Sequence, residues 1–360
     1  MSLSPDRLSI YDTLAKSVGN TPLVEIEQLL PNGNRLWVKQ EFCNQLGASH
    51  YDRVFLALFK EKERLGIIHP GMNVFETTSG TAGVSFAAIG TVLGYACHVA
   101  IPAGGEKARE AAIEKAGAQL YYTPAESYIA GFPHFIKRFI KEHAGYVFFN
   151  HSMGDIDGKG RAINRLAIDT MHGIVDEISS GMGTQSVHNI ISVLGNGTSA
   201  LGLVERASPV TKVTAMETLA SGVGYRAKYG EEAYAQLLDG FDPKNFSRHR
   251  MPGTSYPGIE FPALREAAER SARVVLVVDE KMEREWLHHT AKFLPSGVVR
   301  FHDTAPDAEL ATYGRSTRAS IAVAQQLAKQ THNENFVVIG YDRADRYDLR
   351  PALSRSAQHG

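Results

Sequence analysis

Short apolar runs bounded by glycine or polar residues alternate along this chain with stretches whose apolar residues recur at helical spacing. Arg35 to Lys39 reads as a strand. Val54 to Leu65 reads as a helix, because Val54, Phe55, Leu58, Phe59 and Leu65 recur every three or four positions. Asp52 is placed to cap it, since a carboxylate accepts the free N–H groups of a first turn, and Gly66 to end it. A strand at Asn73 to Glu76 runs into the small-residue stretch Thr77 to Gly83, and Val84 to Leu93 follows as a buried helix. Cys97 to Ile101 is a strand, Lys107 to Ala116 a helix, and Gln119 to Tyr122 a strand.

A second block of the same kind starts near His188. Its strands are Asn189 to Leu194, Lys212 to Ala215, Arg273 to Val278 and Asn335 to Ile339. Helical spacing covers Glu283 to Phe293 and Ala319 to Lys329. Tyr225 to Ser255 is rich in Gly, Lys, Arg and Tyr and weakly periodic, which suits loops and short helices around a site mouth. This alternation predicts an α/β fold of mainly parallel sheets covered by helices. A chain of 360 residues is too long for one simple core. We expect a small mobile lobe at 45–150 and a larger lobe made of 1–44 plus 151–360.

Composition narrows the partners. The 38 basic and 39 acidic side chains are interspersed and leave a net charge of -1, which argues against nucleic acid or an anionic membrane. Two cysteines, Cys43 and Cys97, fit a reducing cytoplasm better than a disulfide framework. Met1 to Arg7 has no apolar core of signal-peptide type, and no apolar run approaches the roughly 20 residues of a membrane helix. His288 and His289 lack metal-ligand spacing, so no metal site is expected.

Three segments carry candidate chemistry. Gly195-Asn196-Gly197-Thr198-Ser199, at a strand-to-helix junction, can cradle a phosphate on backbone N–H groups and a positive dipole end; a tight turn without ligand would look the same. The same segment, as Gly195-x-Gly197-x-x-Ala200 with Glu217 about 20 residues on, also invites a dinucleotide reading and an NAD-dependent oxidoreductase. Thr77 to Gly83 gathers hydroxyls and glycines at a helix mouth, where Thr78, Ser79, Gly80 and Thr81 can converge on a carboxylate. Gly314-Arg315-Ser316-Thr317-Arg318 can offer a hydroxyl to a ring nitrogen, or simply cap a helix.

Taken in order, these pieces resemble the fold-type-II family of pyridoxal-phosphate (PLP) enzymes, of the cysteine synthase and tryptophan synthase β kind. Gly19-Asn20-Thr21-Pro22-Leu23 matches the family's opening motif. Thr78 to Gly83 resembles its carboxylate loop, Gly195 to Gly202 its phosphate loop, and Gly314 to Ala319 its ring-nitrogen segment. Asp342 to Tyr347 resembles its closing segment. The resemblance covers essentially the whole chain and implies a two-lobed α/β fold, a PLP cofactor, amino-acid chemistry and a homodimer.

Within it, Ser49-His50-Tyr51-Asp52-Arg53 stands where the family has Ser-x-Lys-Asp-Arg, so Tyr51 replaces the Schiff-base lysine. Lys39 is common in the family at its position, and Lys60 is nine residues from Tyr51, roughly 13 Å along a helix; neither is placed to substitute. The resemblance puts Gly195, Asn196, Gly197, Thr198 and Ser199 on the phosphate, Ser316 and Thr317 on the ring nitrogen, and His151 near the substrate. A phenol cannot form a Schiff base. The expected ligand is therefore non-covalent PLP, a preformed PLP–amino acid aldimine, or another phosphate ester. Tyr51 and His50 are the candidate proton-transfer groups for an elimination or replacement; a phenolate at Tyr51 would need nearby positive charge or strong hydrogen bonds. The rival is a non-catalytic ligand-binding pseudoenzyme or partner subunit.

Overall fold

The computed structural model describes residues 3–154, 164–246, 251, 253–254, 260–302 and 310–348. Its opening elements are α1 (Pro5–Ala15), β1 (Leu23–Ile26), β2 (Arg35–Lys39) and α2 (Tyr51–Arg64). A βα series follows: β3 (Asn73–Thr77), α3 (Thr81–Val92), β4 (Ala96–Pro102), α4 (Lys107–Lys115), β5 (Gln119–Thr123), α5 (Phe132–Glu142) and β6 (Val147–Phe148). The next elements are α6 (Arg165–Met182), β7 (Asn189–Val193), α7 (Thr198–Arg206), β8 (Lys212–Thr218), α8 (Val223–Tyr229) and α9 (Glu231–Leu238). Last come α10 (Pro262–Arg270), β9 (Arg273–Val278), α11 (Glu280–Thr290), β10 (Val299–Arg300), α12 (Arg315–Ala328) and β11 (Asn335–Ile339).

Two sheets result, each flanked by helices, and the architecture is the two-lobed α/β arrangement expected. One has the order β1-β2-β11-β7-β8-β9-β10, and only its β1–β2 pair is antiparallel. The other has the order β5-β4-β3-β6 and is parallel throughout. Every residue of β7 and β11 is buried, as strands covered on both faces require, and this is why they read as unbroken apolar runs. Between α2, α3 and the end of β6, the rings of Phe55, Phe59, Phe86 and Phe149 interlock; Phe59 and Phe149 lie 4.3 Å apart.

Several boundaries differ from the sequence reading for local reasons. α2 starts at Tyr51, and Asp52 does not cap it. The Asp52 carboxylate instead accepts the N–H groups of Leu46 at 3.0 Å and Gly47 at 2.8 Å, bracing the loop before the helix. Gly66 does end α2, with φ +71, while Leu65 is exposed. α11 starts three residues early because Asp279 caps Lys281 and Met282. It stops at Thr290, where Ala291 turns left-handed, leaving Phe293 in solvent. The described part of Tyr225 to Ser255 holds short helices, as expected; 247–250, 252 and 255 lie outside the described residues.

A buried ion network ties β2, α2 and α6 together. Arg53 forks onto Glu41 at 2.8 and 2.9 Å and onto Glu177 at 2.7 and 2.8 Å. Lys39, fully buried, meets Glu177 at 2.5 Å and the Thr21 carbonyl at 2.5 Å. That ammonium is committed to the network. The Lys60 ammonium lies 5.8 Å from the centre of the Tyr11 ring.

Candidate functional site

The loops at the C-terminal ends of β3, β7 and β11 converge on one pocket, as ligand sites in parallel α/β sheets do. Thr78 and Ser79 follow β3, Gly195 and Asn196 follow β7, and Tyr341 and Asp342 follow β11. The first turns of α2, α3, α7 and α12 complete the walls through Tyr51, Thr81, Ser199 and Ser316. None of the four N-cap residues, His50, Gly80, Gly197 and Gly314, caps its helix with a side chain. Four helix starts with their positive dipole ends therefore face one space, a strong setting for anions.

Ten of the sequence candidates meet there: His50, Tyr51, Thr78, Ser79, Thr81, Gly195, Asn196, Gly197, Ser199 and Ser316. Four do not line it. Gly80 forms the turn before α3 with φ +153. Thr198 is buried, and its hydroxyl has no hydrogen-bond partner among the described residues. Thr317 spends its hydroxyl on the backbone, accepting from the Tyr341 N–H at 3.3 Å, which leaves Ser316 as the wall hydroxyl of that segment. His151 sits edge-on to the Tyr51 ring at 5.4 Å, with Nδ1 3.0 Å from Glu76. Glu217, which the dinucleotide reading needs on a ribose, is wholly buried and accepts the Tyr225 N–H at 2.6 Å.

The glycines of the β7–α7 loop are required by packing. A Cβ on Gly195 would lie 2.3 Å from the Gly253 carbonyl oxygen, and one on Gly197 2.1 Å from the Leu264 backbone nitrogen. Gly197 also has φ +93. Gly197→Ala is therefore expected to destabilise by about 1–3 kcal/mol from overpacking and a further 1–2 kcal/mol from backbone strain, measured by urea unfolding. A bulky residue there would disturb α10 before it blocked any ligand.

Electrostatics make the two proton-transfer candidates neutral. Burial pushes the Tyr51 phenol upward, reinforced by Tyr341 and Glu76 and only partly offset by Arg109. Burial drops the His50 imidazole to about 4. A histidine held neutral in the fold but protonated when unfolded loses stability as pH falls from its ordinary 6.5 to about 4. His50→Gln is expected to flatten that part of the stability profile, read from urea midpoints at several pH values. Burial raises the Asp52 carboxyl to about 6, which acts in the opposite direction over part of the window; the comparison must therefore be wild type against variant.

The walls also hold residues the sequence reading missed. Arg109, on α4, is 4% exposed yet lines the pocket and meets Asp342 at 2.9 Å. Tyr341 shares its hydroxyl with Ser192 at 2.9 Å and Ser199 at 3.4 Å, and its ring stands 4.9 Å from that of His50. Arg109 reads in sequence as one charge among several on a helix surface; no local pattern marks it as buried. Tyr341 and Asp342 follow a strand that was legible, so their place at its C-terminal end was the available signal.

The donor set fits PLP in part. The first turn of α7, with the Ser199 hydroxyl, suits a phosphate, and Ser316 offers a hydroxyl to a ring nitrogen. The described residues lining the pocket include Arg109 but no lysine, so they fit a cofactor held without a covalent bond. Among the described residues no helix is long and apolar enough to cross a membrane.

Comparison with known proteins agrees with this architecture. The profile of the pyridoxal-phosphate dependent enzyme family matches residues 14–297. Cysteine synthase B of Salmonella typhimurium is 38% identical over 121 residues, 33% of this chain and 40% of that one. Cysteine synthase 2 of Emericella nidulans is 25% identical over 296 residues, 74% of this chain and 66% of that one. The chain thus aligns with only about 40% of the length of the bacterial relative. Among solved structures, a hydrogen sulfide-producing enzyme from Fusobacterium nucleatum superposes with a TM-score of 0.71 at 21% identity, covering 96% of this chain and 100% of that one. Cysteine synthase from Entamoeba histolytica gives 0.68 at 22%, covering 100% and 95%; both likenesses concern the fold. The match over most of the chain places it in the family of pyridoxal-phosphate dependent enzymes.

Proposed function

We propose that this protein binds PLP, or another phosphate ester, non-covalently and acts on an amino acid in a β-elimination or β-replacement. One observation carries the reading: four helix starts meet at a pocket whose described walls carry no lysine. The resemblance of Ser49 to Arg53 to the family's Ser-x-Lys-Asp-Arg supports Tyr51 in the place of the Schiff-base lysine. Gly195, Asn196, Gly197 and Ser199 hold the phosphate, Ser316 faces the ring nitrogen, and Thr78 and Ser79 hold the substrate α-carboxylate. When bound, PLP supplies an electron sink for chemistry at the amino-acid Cα. The lobes divide after residues 44 and 150, which assigns the carboxylate loop to the small lobe, and the assembly is a homodimer.

Proton transfer falls to His50 more than to Tyr51. A neutral imidazole accepts a proton directly, whereas the Tyr51 phenol is pushed away from ionisation. The same two shifts favour a second reading, a ligand-binding pseudoenzyme, because an imidazole at about 4 is a weak base.

The test is equilibrium binding of PLP to wild type and Ser199→Ala. Loss of one hydrogen bond to a charged phosphate is worth roughly 1.5–3 kcal/mol, so about a tenfold to hundredfold weakening is expected. Equal binding by both proteins would remove the phosphate from the α7 start. Amino-acid-dependent release of a keto acid by the PLP-loaded protein, or of a new β-substituted amino acid when a nucleophile is supplied, abolished in His50→Gln, would decide for catalysis; neither product from any β-substituted amino acid would decide for the pseudoenzyme.

A further inference from the structure

Asp342 lines the pocket, and its carboxylate is held as a ligand's would be. Oδ2 accepts from the Arg109 guanidinium at 2.9 Å and from the Thr81 hydroxyl at 3.3 Å. The Tyr347 hydroxyl donates to both oxygens at 3.1 Å. Two of these donors, Arg109 and Thr81, belong to the helices after β4 and β3, whereas Asp342 arrives from the far sheet after β11. Arg109 and Thr81 also line the pocket.

Arg109 is built into this place. Its aliphatic stem packs on Gly80, where a Cβ would come within 2.7 Å of Arg109 Cδ. Its guanidinium lies 4.6 Å from the Tyr347 ring, and Nε faces the Arg346 carbonyl at 3.3 Å. The stem and plane are therefore fixed, while the end of the fork points at a carboxylate. An arginine fork is suited to carboxylate or phosphate. Burial also pushes the Asp342 carboxyl upward, so once parted from Arg109 it can leave its partners as a neutral acid at lower cost than a carboxylate.

We propose that Arg109 and Thr81 form a second anion subsite, occupied here by the chain's own Asp342, which selects amino acids bearing an acidic side chain. This rests on the amino-acid reading above and deepens it. The ligand's anion exchanges with Asp342, and Arg109 keeps a partner throughout, so no buried charge is left alone. Arg109 is a specificity-determining residue in this scheme, and Asp342 is the internal competitor.

The experiment is calorimetric titration of the full-length protein, with and without PLP, using L-aspartate and its neutral isostere L-asparagine. Wild type is expected to bind aspartate about tenfold or more tightly than asparagine. Arg109→Gln is expected to reduce that ratio to near one. Asp342→Asn, which removes the competitor, is expected to tighten aspartate binding. A purely structural ion pair would shift stability in both variants without moving the aspartate-to-asparagine ratio in opposite directions. If Arg109→Gln fails to fold, the wild-type ratio and the sign of the Asp342→Asn effect still decide. A wild-type ratio near one, a ratio unchanged in folded Arg109→Gln, or weaker aspartate binding in Asp342→Asn each overturns the proposal. Failure to bind PLP with an intact, Arg109-dependent ratio would overturn the cofactor reading alone; PLP binding with no ratio would overturn the subsite alone.

Discussion

Tyr51→Lys is expected to give this protein a covalent, borohydride-reducible hold on PLP, and the wild type is expected to release all of its PLP on denaturation. The expectation follows from where residue 51 sits. It opens α2 and lines the same pocket as Thr78, Thr81 and Ser199. Burial there disfavours charge, which is why the Tyr51 phenol is pushed upward. The same desolvation lowers an ammonium, so an amine at this position holds a larger neutral, nucleophilic fraction than one in water. Peptide mapping after reduction is the check, and the mass of PLP must fall on residue 51. A folded variant that binds PLP yet forms no adduct would mean that the aldehyde end lies elsewhere in the pocket.

Removing Arg53 is expected to produce the largest loss of stability. Arg53→Ala leaves Glu41, which is fully buried, and Glu177 without the fork that pairs them. Breaking a buried ion pair from one side costs roughly 3–5 kcal/mol, and Lys39 can compensate only in part because it already serves Glu177. Urea unfolding of wild type and variant measures the difference. Its pH dependence has a definite sign. Burial raises the Glu177 carboxyl, but Arg53 and Lys39 outweigh it and hold it at about 2 against an ordinary 4.5. A depressed carboxyl contributes stability that is complete above its unfolded value and disappears as pH falls through its folded one. Wild type should therefore lose stability between about pH 4.5 and 2 more steeply than Arg53→Ala. Parallel curves would place the origin of the Glu177 shift outside Arg53.

The legible parts of this protein are those where local sequence and tertiary environment agree. β7 and β11 were readable because burial on both faces demands unbroken apolar runs. The loops after β3 and β7 were readable because hydroxyls and glycines cluster there. α6 carries a helical signal in Ile168, Met171, Val175, Ile178 and Met182, which are buried at helical spacing. α1 announces itself through Ser4, which caps Arg7, and Pro5 in its first turn. Asp52 misled because a carboxylate near a helix start can serve either the helix or the loop before it, and only the fold chooses. His151 and Thr317 fall close to the site in sequence register, yet their side chains turn to Tyr51 and Glu76 in one case and to backbone in the other. Arg109 was invisible because its importance comes from Asp342, more than 200 residues away in the chain.

PLP held in this pocket without a covalent bond would leave the chain unmodified once it unfolds. Mass spectrometry of one PLP-loaded sample, under native and then denaturing conditions, measures this. The expected result is a native mass increased by one PLP per chain and a denatured chain of unmodified mass, both before and after borohydride reduction. Persistence of PLP on the denatured, reduced chain would contradict it and identify another amine as the anchor; a native spectrum free of PLP at saturating concentration would contradict the cofactor itself.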